Sequence, residues 1–163
     1  MPLTTTYTDH KGNIFTFEYF DADSFDDLDK SKCTQTYGVC FYDGKIVLGY
    51  SGGRKEYGLI GGTIEEGESF EQTLRREVKE ESNMNVLSFS PIGYQKVTST
   101  KDESVIYQLR YACEVTPFGP FICDTMGDIV ELKLIEPSEH KEYLKWGEIG
   151  ERIIERAIDI MSK

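Results

Sequence analysis

The sequence predicts one α/β domain built on a mixed β-sheet, and three observations carry that reading. Short runs rich in β-formers alternate with one acidic helical stretch, residues 69–82. Near the C-terminus Trp146, Ile149, Ile153, Ala157 and Ile160 recur at helical spacing. The third is size, since 163 residues with 39% hydrophobic and 12% aromatic content make about one domain with a sizeable core. With 29% charged residues, 15 Gly and 5 Pro, collagen-like, low-complexity and disordered chains are excluded.

Taken in order, residues 14–20 read as a strand, and the acidic stretch 21–32 as a loop or short helix. Residues 1–35 are expected to form an N-terminal extension, and 36–163 the core of the same single domain. Residues 37–42 and 45–50 flank Asp43-Gly44, a pair suited to a type I′ turn, so they read as a hairpin. A polar loop follows at 51–55. From Ser69 the period becomes helical for about 13 residues, with Ser69 as N-cap and Gln72 completing a capping box. Residues 86–89, 93–99, 104–116 and 129–135 read as four strands with Pro and Gly in their connections. Residues 148–161 form an amphipathic helix expected to pack on the sheet, with Trp146 in the core. No internal repeat or long linker divides the chain.

Several function classes fall away on composition. The longest apolar runs, such as 46–48, are far short of a membrane span, and the N-terminus has neither a basic nor an apolar leader region. A cytoplasmic address is the default expectation. Cys33, Cys40, Cys113 and Cys123 lack C-x-x-C spacing and read as reduced thiols, mostly in the core. His10 and His140 stand apart among polar residues and are expected on the surface. A net charge of −11 repels long nucleic acids, yet a small, highly charged anion can bind beside a divalent cation or a few basic groups. Arg54, Lys55, Lys96 and Arg110 read first as solvated charges. Tyr57, Phe118 and Phe121 read as core before base-stacking groups.

One constellation points to chemistry. Residues 62–68 hold three glutamates, and Arg76-Glu77-Val78-Lys79-Glu80-Glu81 adds three more on the helix. At about 100° per residue, with Glu77 at zero, Glu80 falls near −60° and Glu81 near +40°. Leu74 and Val78 fall near +60° and +100°, so Glu77 and Glu81 sit on the side of the apolar stripe rather than on the solvent face. Carboxylates there need compensation, because an unpaired buried charge costs several kcal/mol. A divalent metal with oxygen preference, bridging carboxylates to substrate phosphates, supplies it.

These residues, reading GTIEEGESFEQTLRREVKEESNM over 62–84, resemble the Nudix box, G-x5-E-x7-R-E-U-x-E-E-x-G-U with U aliphatic. Asn83 stands where the family has its last Gly, a helix C′ position for which Asn is the next best residue. The departure concerns capping, and Asn83→Gly is expected to stabilise by some tenths of a kcal/mol. The resemblance implies a Nudix-type α/β/α sandwich. It also implies Mg²⁺- or Mn²⁺-dependent cleavage of a pyrophosphate bond in a small nucleoside diphosphate-linked substrate. Carried over residue by residue, Glu77, Glu80 and Glu81 resemble the metal-binding and base-supplying carboxylates. Gly61 resembles the position whose carbonyl joins the metal shell. Arg76 looks like the residue that holds a box glutamate, and Glu68 like the loop glutamate supporting the helix. Glu131 is the candidate for a further carboxylate outside the box. Residues 99–102 show neither the Pro nor the Tyr that marks some subfamilies, so the substrate stays open, as does oligomeric state, with a homodimer one option. A nucleotide-sensing module on the same fold is the alternative, though such domains usually have decayed box carboxylates.

Overall fold

A computed structural model describes residues 2–122 and 127–163. Nine strands among these residues form one mixed sheet. They are β1 (Leu3–Thr8), β2 (Ile14–Asp21), β3 (Cys33–Tyr42), β4 (Lys45–Ser51), β5 (Glu56–Gly58), β6 (Ile60–Thr63), β7 (Met84–Ser99), β8 (Val105–Pro117) and β9 (Ile129–Ile135). The helices are α1 (Phe70–Ser82), the short α2 (His140–Tyr143) and α3 (Gly147–Met161). The strand order is β1-β2-β7-β8-β3-β4-β5, with β6 also on β3 and β9 on β4. β3 and β8 run parallel and the other pairs are antiparallel.

Alternation along the central strands sorts the core into two layers. Val39 and Phe41 of β3, with Ile46 and Leu48 of β4, pack against Ile149, Ile153, Ile154 and Ala157 of α3. Cys40 and Val47 face the other way, onto Leu74 and Val78 of α1 with Leu109 and Cys113 of β8. One helix on each face makes the expected α/β/α sandwich.

The Asp43-Gly44 turn holds both residues at positive φ, 52° and 75°, as a type I′ hairpin needs. Ser69 caps α1 with Gln72 closing the capping box, and Asn83 ends the helix at φ 54° and ψ 41° in the left-handed region. Of the stretch 21–32, Asp21 closes β2 and the rest is loop with one 3₁₀ turn, Lys30–Lys32. Residues 86–89 and 93–99, read as two strands, belong to the single strand β7. Register shifts between Val86 and Ser88 and between Pro91 and Gly93 absorb the proline within one ladder. The sequence reading omitted β1, β5 and β6. Cys33, Cys40 and Cys113 are free and buried, whereas Cys123 lies outside the described residues. His140 is buried at the start of α2 instead of lying on the surface. No helix among the described residues is long and apolar enough to cross a membrane.

Candidate active site

The site begins with a fork in the sheet. β3 and β4 pair over three residues only, Cys40, Phe41 and Tyr42 against Val47, Ile46 and Lys45. Beyond that, β3 takes β6 as its neighbour, while β5 pairs with Gly49, Tyr50 and Ser51 of β4. The chain crosses between the two halves at Leu59, leaving a cavity of about 140 Å³ lined by Tyr37, Gly61, Glu81, Asp128, Tyr57 and Trp146 among others. Gly61 is required here, because a Cβ would overlap the Thr36 carbonyl oxygen and Tyr37 of the neighbouring strand. A Cβ on Gly62 would stand 2.5 Å from the Glu77 carboxylate. The two glycines let α1 bring its glutamates against β6.

Arg76 ties the acidic loop to the helix. Its Nε donates to Glu68 Oε2 at 2.7 Å and its Nη2 to Glu68 Oε1 at 2.9 Å, a two-pronged bond. Nη2 also donates to the Thr63 carbonyl at 2.9 Å, and Nη1 to Glu77 Oε1 at 2.9 Å and Glu80 Oε2 at 3.2 Å. Glu68 in turn accepts from the Glu65 amide and from Thr73 Oγ1, both at 2.9 Å. The Arg76 bond holds the Glu68 carboxyl down at about 2. Carboxylate and guanidinium therefore stay ionised over the working range.

Glu81 sits deeper and accepts from the Gly61 N–H at 2.8 Å. A strand residue projects its N–H and C=O to the same edge, so the Gly61 carbonyl shares that side. Burial first, then the charges of Glu77, Asp128 and Glu80, pushes the Glu81 carboxyl up to about 7 against the pull of the Gly61 bond. Burial also raises Glu77, with Arg76 opposing. Glu77 and Glu81 are half-buried beside the fully buried Leu74 and Val78, as the wheel places them, whereas Glu80 is exposed.

Glu131 stands apart from this group. It is exposed on β9, accepts from the Tyr57 hydroxyl at 3.2 Å, and does not line the cavity. The carboxylate from outside the box that faces Glu81 across the cavity is Asp128, which the sequence reading missed. Asp128 accepts from Ser51 Oγ and from the Gly53 N–H at 2.9 Å, and these bonds lower its pKa. It sits one residue before β9, where no local pattern marks it, since the partners that fix it are more than 70 residues away.

Three expectations about exposure are corrected. Arg110 is buried, with its guanidinium 4.9 Å from the Tyr37 ring centroid. Trp146 is 36% exposed at the cavity. Phe118 is 63% exposed, with the Lys79 ammonium 3.7 Å from its ring centroid. A strand or helix period reports which face a residue takes, and not whether a neighbour covers that face.

As the side chains stand, no three His, Cys, Asp or Glu groups among the described residues converge at metal-ligand spacing. Arg76 engages Glu77 and Glu80 instead. The donor chemistry nevertheless fits a hard divalent cation. It offers carboxylate oxygens and a carbonyl, with Arg76 shared between Glu77 and Glu80 while Glu81 accepts from the Gly61 N–H.

A family model described as NUDIX domain matches residues 34–156. No curated protein matches the chain. Among solved structures, the Bacillus subtilis pyrophosphohydrolase BsRppH superposes with a TM-score of 0.68 at 18% identity, covering 96% of this chain and 97% of that one. A NUDIX hydrolase from Nitrosomonas europaea gives 0.64 at 22% identity, covering 78% and 90%. The NUDIX domain of Shewanella oneidensis NrtR, solved with ADP ribose, gives 0.63 at 17% identity, covering 83% and 94%.

Proposed function

The chain belongs to the NUDIX family, and we propose that it hydrolyses a pyrophosphate bond in a small nucleoside diphosphate-linked substrate with Mg²⁺ or Mn²⁺. The observation that carries this reading is the Arg76-centred carboxylate cluster opening onto the fork cavity through Glu81. In this reading Glu77, Glu80, Glu81 and the Gly61 carbonyl hold the cation, with Asp128 taking the outside role first given to Glu131. A bound divalent ion neutralises the phosphate oxygens and supplies a polarised water. Arg76 and Glu68 orient the helix carboxylates and lock the loop. A carboxylate of the cluster accepts the proton of the attacking water as the bond to the leaving phosphate breaks. The leaving group departs as a stable anion, so the chain needs no covalent nucleophile.

The filled acidic positions favour turnover over nucleotide sensing. We further read residues 1–35 as an extension of the catalytic core 36–163, and the protein as cytoplasmic. A screen of nucleoside triphosphates, nucleotide sugars, dinucleoside polyphosphates and ADP-ribose with either cation tests the reading. It predicts cation-dependent release of phosphate-containing products from at least one class. Binding without turnover across all of them would favour the sensing module.

A further inference from the structure

β9 is an outer strand of the sheet, pairing among the described residues with β4 alone. From Glu131 onward its other edge therefore turns backbone N–H and C=O groups outward, and such an edge is a template for a further strand. The register assigns its faces. Leu132 and Leu134 stand opposite Gly49 and Val47 of β4, on the α1 side, whereas Glu131 and Lys133 stand opposite Tyr50 and Leu48, on the α3 side. Leu134 is 40% exposed and Leu132 only partly buried. On the other face Glu131 accepts from the Tyr57 hydroxyl, and the Lys133 ammonium lies 5.4 Å from the Tyr143 ring centroid. Neither charge is in an ion pair among the described residues.

At a net charge of −11 two copies of this chain repel, so contact between them needs a surface that is locally neutral and self-complementary. The stretch Glu131-Leu132-Lys133 is both, since reversed it reads Lys-Leu-Glu. A two-fold axis through Leu132 sets each Glu131 opposite the partner subunit's Lys133 and Leu132 opposite its own copy, with Leu134 on the diagonal. An axis through Lys133 or Glu131 would set like charges opposite each other, and an odd register would put facing side chains on opposite faces. The outer strand at the far end, β1, carries no charge from Leu3 to Thr8, so it holds no such code. We propose that the outer edge of β9 is a homodimer interface, where two copies join their sheets antiparallel about a two-fold axis at Leu132. The leucines of both copies then meet on one face, and the Glu131–Lys133 pairs form on the other. A ladder this short is expected to bury less than roughly 1,200 Å², so monomer and dimer exchange. The interface stands independently of the hydrolase reading.

Sedimentation equilibrium of the full chain tests it. The mass of wild type should rise with concentration from the 18.6 kDa of the monomer toward twice that value. Lys133→Glu and Glu131→Lys each set like charges opposite, and each should weaken association about tenfold or more. The double variant Glu131→Lys/Lys133→Glu restores both pairs with their charges exchanged and should regain wild-type association. An equimolar mixture of the two single variants should do the same. Leu134→Asp, on the other face, should weaken association likewise, and it decides if a charge variant fails to fold by thermal melting. A wild-type mass that stays at the monomer up to about 0.5 mM overturns the interface. So does a double variant no tighter than the single ones, or a dimer that survives Lys133→Glu and Leu134→Asp. A dimer that only Thr5→Lys disperses would belong to β1 and overturns it too.

Discussion

Burial pushes the Glu81 carboxyl up to about 7 from an ordinary 4.5, and this links folding to pH in cation-free buffer. The folded state holds the proton more tightly than the unfolded chain. The contribution of Glu81 to stability is therefore complete below pH ~4.5 and is lost as pH rises through about 7. Glu81→Gln removes that penalty, so with a chelator present it should be more stable than wild type at pH 8, by on the order of 3 kcal/mol. The advantage should vanish toward pH 4.5. Denaturant titrations at the two pH values check this, and an equal difference at both would place the carboxyl in a less buried state. Arg110 presents the opposite charge with the same problem. Among the described residues its Nε has no partner and its two other bonds are 3.3 and 3.4 Å long, and burial pulls its pKa down to about 10. Arg110→Met should then raise stability by about 1–2 kcal/mol, since an apolar side chain of similar length needs no counter-charge. Destabilisation of that size would show that the Tyr37 contact compensates the guanidinium.

α1 shows how an element can be legible while its surroundings are not. Its cap, length and left-handed terminus follow from Ser69, Gln72 and Asn83 in the sequence, because each acts on its own helix. The structure adds what the sequence lacks, a bond from Asn83 Nδ2 to the Pro120 carbonyl at 2.8 Å and one from the Phe118 N–H to the Asn83 carbonyl at 2.9 Å. The gain of some tenths expected for Asn83→Gly is thus offset by a lost side-chain bond, and the variant should be less stable by under about 1 kcal/mol. Asn83→Ala loses the bond and strains the left-handed backbone, for a total of about 2 kcal/mol. Thermal melts should rank wild type, then Gly, then Ala; a Gly variant above wild type would mean that the Pro120 bond contributes nothing. β5 and β6 escaped the sequence reading because Gly58, Gly61 and Gly62 weaken any local strand preference. Their pairing with β4 and β3 makes them strands, and that partnership is non-local. β1, with Thr4, Thr5 and Thr6, is likewise defined by its ladder to β2.

At the scale of the molecule, the helix side of the site was readable and the opposite wall was not. Glu77, Glu80, Glu81, Arg76 and Glu68 lie within one short stretch, where spacing and helical geometry bring them together. Asp128, Tyr57 and Trp146 come from three separate segments that meet only because the sheet forks. If a cation belongs at this junction, millimolar Mg²⁺ or Mn²⁺ should raise the melting temperature of wild type, and much less that of Glu77→Gln or Glu81→Gln. Equal shifts in all three would move the cation elsewhere. The central claim is hydrolysis at phosphorus by the Glu77, Glu80 and Glu81 cluster. Its most direct test is product analysis in ¹⁸O-labelled water, run in parallel for wild type, Glu80→Gln and Glu81→Gln with a divalent cation and a substrate from the screen. The account predicts label in a phosphate-containing product of wild type, and kcat at least about 10²-fold lower in both folded variants. Label absent from every phosphate, or full activity in both variants, would contradict it.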